Sequence, residues 1–242
     1  MKRIHKQPNP LVIQSLHSFI LLEKAAGRTP KYKNFREQKD GEVTFVGKDE
    51  LRQSLLKEQG YICCFCMCRI KDSNETTKIA HIFPQNPVSD EDKQKVKQEN
   101  LDLNYYNMLA ACNGGSGKPL DSQHCDTKQG NTILKINPAD SVRNCEILIE
   151  YTSSGEIYSN NADINHDLKE VLNLNLNAIK KARKEAYSAI IIKLESKYPN
   201  RSWSKRSIEN EIKNYSQLKN GKYAPYCQYV IYFLEKKLKQ LS

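Results

Sequence analysis

The segment YICCFCMCRI, residues 61–70, places four of the chain's eight cysteines within six consecutive positions. Such thiols can form disulfides, perform redox chemistry, bind a metal or pack in a core. No apolar segment is long enough for a membrane span, and no signal-peptide pattern follows the first residues, so we expect a cytoplasmic protein. Disulfides are rare in that reducing compartment, where clustered cysteines more often bind metal.

Cys63 and Cys66 have the C-x-x-C spacing that lets two thiolates hold one tetrahedral zinc ion. The other two ligands are expected to be Cys112 and Cys125, because both lie in polar segments rich in Gly, Asn and Asp. The remaining cysteines are expected to be bystanders or packing residues: Cys64, Cys68, Cys145 and Cys227. The sequence therefore predicts a structural Zn²⁺ site. A redox protein is disfavoured, since no βαβ pattern surrounds the C-x-x-C pair.

The segments around this site predict an α+β fold that is mostly helical. Asn9 and Pro10 predict a helix start, and Gly27 a helix end. DELRQSLLKEQG (49–60) predicts a second helix with an Asp cap, and EILIEYTSSGEIYS (146–159) predicts a β-hairpin that turns at Ser-Ser-Gly. We expect three regions: an N-terminal helical region (1–60), a zinc-stabilised module (61–135), and the hairpin followed by a basic helical region (136–242).

The positive charge is concentrated near the C-terminus. Residues 178–242 contain 15 Lys or Arg and 5 Asp or Glu, which accounts for the whole net charge of +10. A polyanion such as nucleic acid would be attracted to this region, and a solvated helical face is the alternative interpretation. In the run IKKARK (179–184), Lys180, Lys181 and Arg183 are the residues we expect to contact nucleic acid.

Four motifs follow one another along the chain: CCFC (63–66), AHIFP (80–84), NMLAAC (107–112) and HCDTK (124–128). Together they resemble the HNH endonucleases, the ββα-metal family, of the four-cysteine type. The sequence more closely resembles the branch that includes the HNH subunit of Septu-type antiphage systems, some of them linked to retrons. The resemblance implies an embedded ββα-metal (HNH) module, in which a β-hairpin and a helix hold a catalytic Mg²⁺ or Mn²⁺ beside the structural zinc.

The resemblance also implies a role for each motif residue. His81 matches the general base, and Asn107 matches the residue that orients this histidine or its strand. Asp126 matches the third position, where a carboxylate suits a hard ion, and His124 is the competing candidate. Lys128 is expected to contact phosphate, with a solvated lysine as the alternative.

Two features depart from the family pattern. Many members carry an acidic metal ligand directly before the first histidine, where this chain has Ala80. The 12 residues between Cys112 and Cys125 also form a longer gap than simple members have. The GGSGK motif in this gap is not a P-loop, because Cys112 and Pro119 stand where that motif needs Gly and Ser or Thr.

The resemblance implies an HNH endonuclease that is the effector of an antiphage complex, acting on DNA or, alternatively, on RNA such as tRNA. The partners it implies are nucleic acid, an ABC/SMC-type ATPase subunit that gates the nuclease, and, in retron-linked systems, a reverse transcriptase with its msDNA. A helical stripe of Tyr226, Tyr229 and Phe233 fits either core packing or docking of a partner. A zinc-stabilised module that binds nucleic acid without cleaving it is the alternative function, and Ala80 favours it.

Overall fold

The structure, a computed structural model, describes residues 1–35, 46–198 and 203–241. Its helices are α1 (Pro10–Ala25), α2 (Lys48–Glu58), α3 (Asp90–Gln98), α4 (Cys125–Gln129), α5 (Cys145–Leu148), α6 (Ala162–His166), α7 (Asn177–Lys197), α8 (Lys205–Ser216) and α9 (Cys227–Gln240). Its strands are β1 (Thr77–His81), β2 (Met108–Cys112), β3 (Glu150–Tyr151) and β4 (Ile157–Tyr158). None of the helices in these residues is long and apolar enough to cross a membrane.

The first two helices begin differently. The Asn9 side chain accepts a hydrogen bond from the Leu11 N–H (3.0 Å) and caps α1, as predicted. The predicted Asp cap of α2 is wrong, because this helix already begins at Lys48. Its cap is Gly47, whose backbone N–H donates to the Glu50 carboxylate (2.9 Å). Glu50 thereby satisfies an amide that would otherwise lack an intrahelical partner.

Strands β1 and β2 form an antiparallel pair, with Thr77 opposite Cys112 and His81 opposite Met108. Helix α4 packs against both strands. The chain thus builds a ββα unit whose three elements carry the AHIFP, NMLAAC and HCDTK motifs. This register places a predicted zinc ligand at one end of β2 and the predicted base at the far end of β1.

The predicted hairpin at 146–159 is present but shorter. Only Glu150–Tyr151 and Ile157–Tyr158 pair, around the expected Ser-Ser-Gly turn. The preceding residues form the short helix α5, because the Asn144 side chain accepts the Glu146 N–H (3.0 Å) and caps it. Cys145 therefore opens a helical turn and does not begin a strand.

One main hydrophobic cluster draws buried residues from all three predicted regions, from Met1 to Tyr229, and it encloses the cysteine knuckle. A second, smaller cluster joins α7, α8 and α9 around Trp203 and Ile208. In the tail, Phe233 packs against Tyr229 and against Tyr187 of α7. The expected fold class is confirmed: a mostly helical α+β chain with a ββα unit beside four clustered cysteines.

Candidate functional site

The cysteine knuckle is a tight turn directly after α2. The Cys63 N–H donates to the Cys68 carbonyl (2.9 Å), and the Met67 N–H donates to the Cys63 carbonyl (3.0 Å). Met67 has φ +66° and Cys125, at the start of α4, has φ +54°. Left-handed backbone is uncommon for residues with a side chain, and such residues cluster at functional sites. Both lie where the chain must turn sharply to present a thiol.

Four thiols converge where β2, α4 and the knuckle meet. The Sγ atoms of Cys63, Cys66, Cys112 and Cys125 all lie within 4.8 Å of one another, and all four residues are buried. The Cys63–Cys125 and Cys66–Cys112 sulfur pairs are 3.8 and 3.9 Å apart. Zinc–sulfur bonds of about 2.3 Å at tetrahedral angles give sulfur separations of about 3.8 Å. These four cysteines could therefore bind a zinc ion, and they are the four predicted from the C-x-x-C spacing and the polar surroundings of Cys112 and Cys125.

The other cysteines have different surroundings. Burial raises the pKa of Cys145 and of Cys227 to about 11, which suits thiols that pack in a core. Burial also raises the pKa of Cys64, whose N–H donates to the Ala110 carbonyl (3.1 Å). Cys68 contributes its carbonyl to the knuckle turn. None of these four belongs to the converging group.

His81 ends β1, and both of its ring nitrogens are engaged. Nε2 lies 3.1 Å from the Asp102 carbonyl oxygen, and Nδ1 lies 3.0 Å from the Gln85 amide nitrogen. A carbonyl can only accept, so Nε2 carries the hydrogen and Nδ1 keeps its lone pair. The Tyr32 ring covers the imidazole edge-on at 5.1 Å. This environment holds a neutral histidine in one tautomer.

Enclosure sets the charge of this imidazole. His81 is 5% exposed, and burial lowers its pKa to about 4, although a hydrogen bond to the Asp102 backbone acts in the opposite direction. Desolvation disfavours the imidazolium form. His81 is therefore uncharged at neutral pH, and the Gln85 amide occupies its Nδ1.

Asn107 fixes the backbone that leaves β1. Its side-chain oxygen accepts the Phe83 N–H (2.7 Å), and its amide nitrogen donates to the carbonyls of Phe83 and Leu101 (both 2.9 Å). The Ile82 N–H donates to the Asn107 carbonyl (3.0 Å). Asn107 thus holds the chain just beyond His81 without bonding its ring.

Asp126 and His124 lie on opposite sides of the α4 start. Asp126 lines a cavity of about 260 Å³ beside β1. Burial raises the pKa of Asp126 to about 6, and the nearby Lys78 ammonium partly opposes this shift. His124 Nε2 lies 3.7 Å from Cys112 Sγ. His124 therefore faces the cysteine centre, and Asp126 faces the cavity.

A catalytic Mg²⁺ or Mn²⁺ fits these residues only in part. Magnesium keeps several waters and commonly uses one or two carboxylates, and Asp126 supplies one. Ala80 is 0% exposed and supplies none. Within the described residues, the four cysteines are the one group of three or more Cys, His, Asp or Glu that could hold a metal.

The three lysines predicted to contact nucleic acid make surface contacts within the chain, and contacts of this kind are weak and can be exchanged for contacts with another anion. Lys128 donates to the Leu120 carbonyl (3.0 Å), and Lys180 and Lys181 lie 3.5 and 3.8 Å from the carboxylates of Glu156 and Glu185.

The prediction for Arg183 is corrected. This side chain is 0% exposed, and its guanidinium donates to the carbonyls of Gly155 and Leu174 (both 3.0 Å). Arg183 is therefore a core residue that cannot reach a nucleic acid from this position.

Sequence reasoning missed three residues around the candidate base: Tyr32, Gln85 and Asp102. Gln85 had a weak signal, since it lies four residues after His81 and directly follows the AHIFP motif. Tyr32 and the Asp102 carbonyl had no such signal, because they reach His81 from 49 and 21 residues away.

Comparison with known proteins adds no further residue: the chain matches no family model and no curated protein.

Proposed function

We propose that this chain is a zinc-stabilised ββα nuclease that hydrolyses phosphodiester bonds of nucleic acid. The observation that carries the proposal is His81. Its Nε2–H is held by the Asp102 carbonyl, so that its Nδ1 lone pair is the only proton acceptor on the ring. A general base needs a defined tautomer and a neutral ring, and both are present in this buried environment. A base is most effective when its pKa lies near the working pH, and exposure of the ring on opening of the site would raise the pKa of His81 toward that range.

Each site residue has a separate role in the proposed reaction. His81 Nδ1 takes the proton of the attacking water after the Gln85 amide turns away, and Asn107 keeps the end of β1 in place. Asp126 would hold a divalent ion, which when bound neutralises charge on the phosphate and on the leaving oxygen. The four cysteines would hold zinc and thereby fix the starts of α4 and of the knuckle, so the zinc is structural.

A second candidate function is binding without cleavage. Two observations favour it: Ala80 supplies no metal ligand, and Gln85 occupies the Nδ1 lone pair that the reaction needs.

The proposed substrate of the nuclease is DNA, with RNA such as tRNA as the alternative.

We propose further that a partner subunit opens the site, because His81 is covered by both Tyr32 and Gln85. The resemblance names an ABC/SMC-type ATPase for this role, in an antiphage complex that in some systems includes a retron reverse transcriptase.

The test compares cleavage of single-stranded DNA, duplex DNA and tRNA by the wild type and by His81→Ala, with Mg²⁺ or Mn²⁺ and with any co-purifying ATPase. We expect His81→Ala to lower the rate about 10²- to 10⁴-fold and to leave the zinc content unchanged. His17→Ala, which removes an exposed histidine of α1, is the matched control and should cleave as the wild type does.

Equal rates for the wild type and His81→Ala would contradict the assignment of the base. A wild type that binds nucleic acid but never cuts it would support the second candidate function.

A further inference from the structure

A groove of about 480 Å³ opens beside His81. One wall is formed by residues 29–33, and the other by α3 and the turn that follows it. Gln85 and Asp102 line the groove, and these two residues hold the ring nitrogens of His81 at 3.0 and 3.1 Å. The groove therefore ends one side chain away from the proposed base.

Lysines project from both walls. Lys31 and Lys33 belong to one wall and Lys93 and Lys97 to α3, and all four are exposed. Lys93 pairs with Asp90 at 2.8 Å, but these side chains are 54% and 92% exposed, so the pair contributes little and can be exchanged for another anion. Toward the rest of the described chain, Lys31, Lys33 and Lys97 form no ion pair. The groove offers four ammonium groups to a ligand.

Asp102 is the one acidic residue among the described residues of the lining, and one of its two carboxylate oxygens is engaged. Its Oδ2 accepts the Tyr32 N–H (2.7 Å), whereas its Oδ1 is buried with no hydrogen-bond partner in the described part of the chain. The remaining polar lining consists of the amides of Gln85, Asn86 and Asn100, which offer neutral donors and acceptors. Positive charge therefore dominates the groove.

We propose that this lysine groove binds the phosphodiester backbone of a single nucleic-acid strand and leads it to His81. Lysines on two facing walls suit an anion that repeats along its length. The volume lies in the range of small-ligand sites, about 300–1,000 Å³, which fits a short stretch of one extended strand. This inference deepens the proposed function and rests on it for the His81 end of the path.

The experiment measures binding of labelled dT20 and rU20, and of a 20-base-pair duplex, by fluorescence anisotropy over a salt series without added Mg²⁺ or Mn²⁺. Two double variants each remove the two lysine charges of one wall of the groove: Lys31→Gln with Lys33→Gln, and Lys93→Gln with Lys97→Gln. The matched control is Lys57→Gln with Lys169→Gln, which removes two exposed lysines that lie outside the groove and outside the basic C-terminal residues 178–242. Zinc content and thermal unfolding verify that every variant is folded.

A plot of log K, the association constant, against log salt concentration has a negative slope. Each groove variant should make this slope shallower by about 1.4, since each phosphate contact on a single strand contributes about 0.7. Its affinity at 0.1 M salt should then fall on the order of 20-fold, while the control variant stays within about twofold of the wild type. Groove variants that bind the single strands as tightly as the control variant would overturn the inference, and so would a loss seen only with the duplex.

Binding and cleavage fail separately. If the wild-type protein binds single strands through the groove but cuts nothing, the result supports groove binding and contradicts nuclease activity. If the wild-type protein cuts, and the groove variants bind and cut equally well, the result supports nuclease activity and contradicts groove binding. Similar losses of affinity for dT20 and rU20 show that the groove binds the phosphate backbone. A loss of affinity for one of them alone shows that the groove prefers that type of strand.

Discussion

At the scale of single residues, His81 has an ionisation unlike that of an exposed histidine. Its ring is enclosed by Tyr32, Gln85 and the Asp102 carbonyl, and no carboxylate of the described residues bonds it. Burial therefore dominates and lowers its pKa to about 4, against about 6.5 for an unperturbed histidine. The unfolded chain binds a proton at this position at a pH where the folded chain does not.

This difference predicts a loss of stability in acid. The contribution of His81 is fully present above pH 6.5 and is lost as the pH falls toward 4, because protons then favour the unfolded chain. Between pH 7 and pH 5 it should lower the free energy of unfolding by about 2 kcal/mol. Urea unfolding at both pH values measures this difference. Between pH 7 and pH 5, the free energy of unfolding of His81→Gln should fall by about 2 kcal/mol less than that of the wild type. An equal loss in both proteins would show that His81 is not held neutral.

At the scale of elements, Arg183 is a buried polar residue that joins α7 to the hairpin turn, in addition to the apolar packing of this helix. Its guanidinium bonds the Gly155 carbonyl of the hairpin turn and the Leu174 carbonyl before α7 (both 3.0 Å). Burial lowers the pKa of this guanidinium, and the charges of Tyr151, Cys66 and Cys125 oppose that shift. Zinc bound by four thiolates would carry a net charge of about −2, and the buried guanidinium would then balance part of that charge.

Removing this cation should weaken the metal centre. We expect Arg183→Met to release zinc to a competing chelator about tenfold more readily, because a buried charge then loses its compensation. Arg183→Lys keeps the charge but not the two fixed carbonyl bonds, and it should fall between the Met variant and the wild type. If the Met variant holds zinc as tightly as the wild type, Arg183 serves packing alone.

At the scale of the whole molecule, the two hydrophobic clusters differ in their dependence on the metal. The main cluster encloses all four converging cysteines, so its packing includes the candidate metal site itself. The second cluster, which includes Trp203, Ile208 and Val230, contains no cysteine. Trp203 is the chain's single tryptophan and is 8% exposed, so its fluorescence reports on the second cluster alone.

Removal of zinc should therefore loosen one cluster before the other. When a strong chelator is added, we expect the thiols of the main cluster to become reactive toward a thiol reagent while the Trp203 emission shifts much less. Metal binding of this kind contributes directly to folding free energy, so the melting temperature should also fall. If thiol reactivity and Trp203 emission change in step, the two clusters unfold as one unit.

Several features could be predicted from the sequence because their causes are local. The cap at Asn9 and the hairpin turn around Ser154 depend on residues a few positions apart. The zinc set needed one longer step: Cys63 and Cys66 had metal spacing, and the polar surroundings of Cys112 and Cys125 separated them from cysteines in apolar elements. The main departures were local as well, since a cap by Glu50 on Gly47 and a cap by Asn144 each shifted an element boundary by a few residues.

The sequence by itself determined the fold class, the four converging thiols and the chain order of His81, Asn107 and Asp126. Tertiary structure alone decided the environment of each. Tyr32 and the Asp102 carbonyl reach His81, Arg183 is buried against the hairpin turn, and lysines from two distant segments face one groove. Spacing along a chain specifies neighbours within a turn or a strand, whereas burial and charge depend on which distant surfaces pack together, and that packing is a property of the whole core.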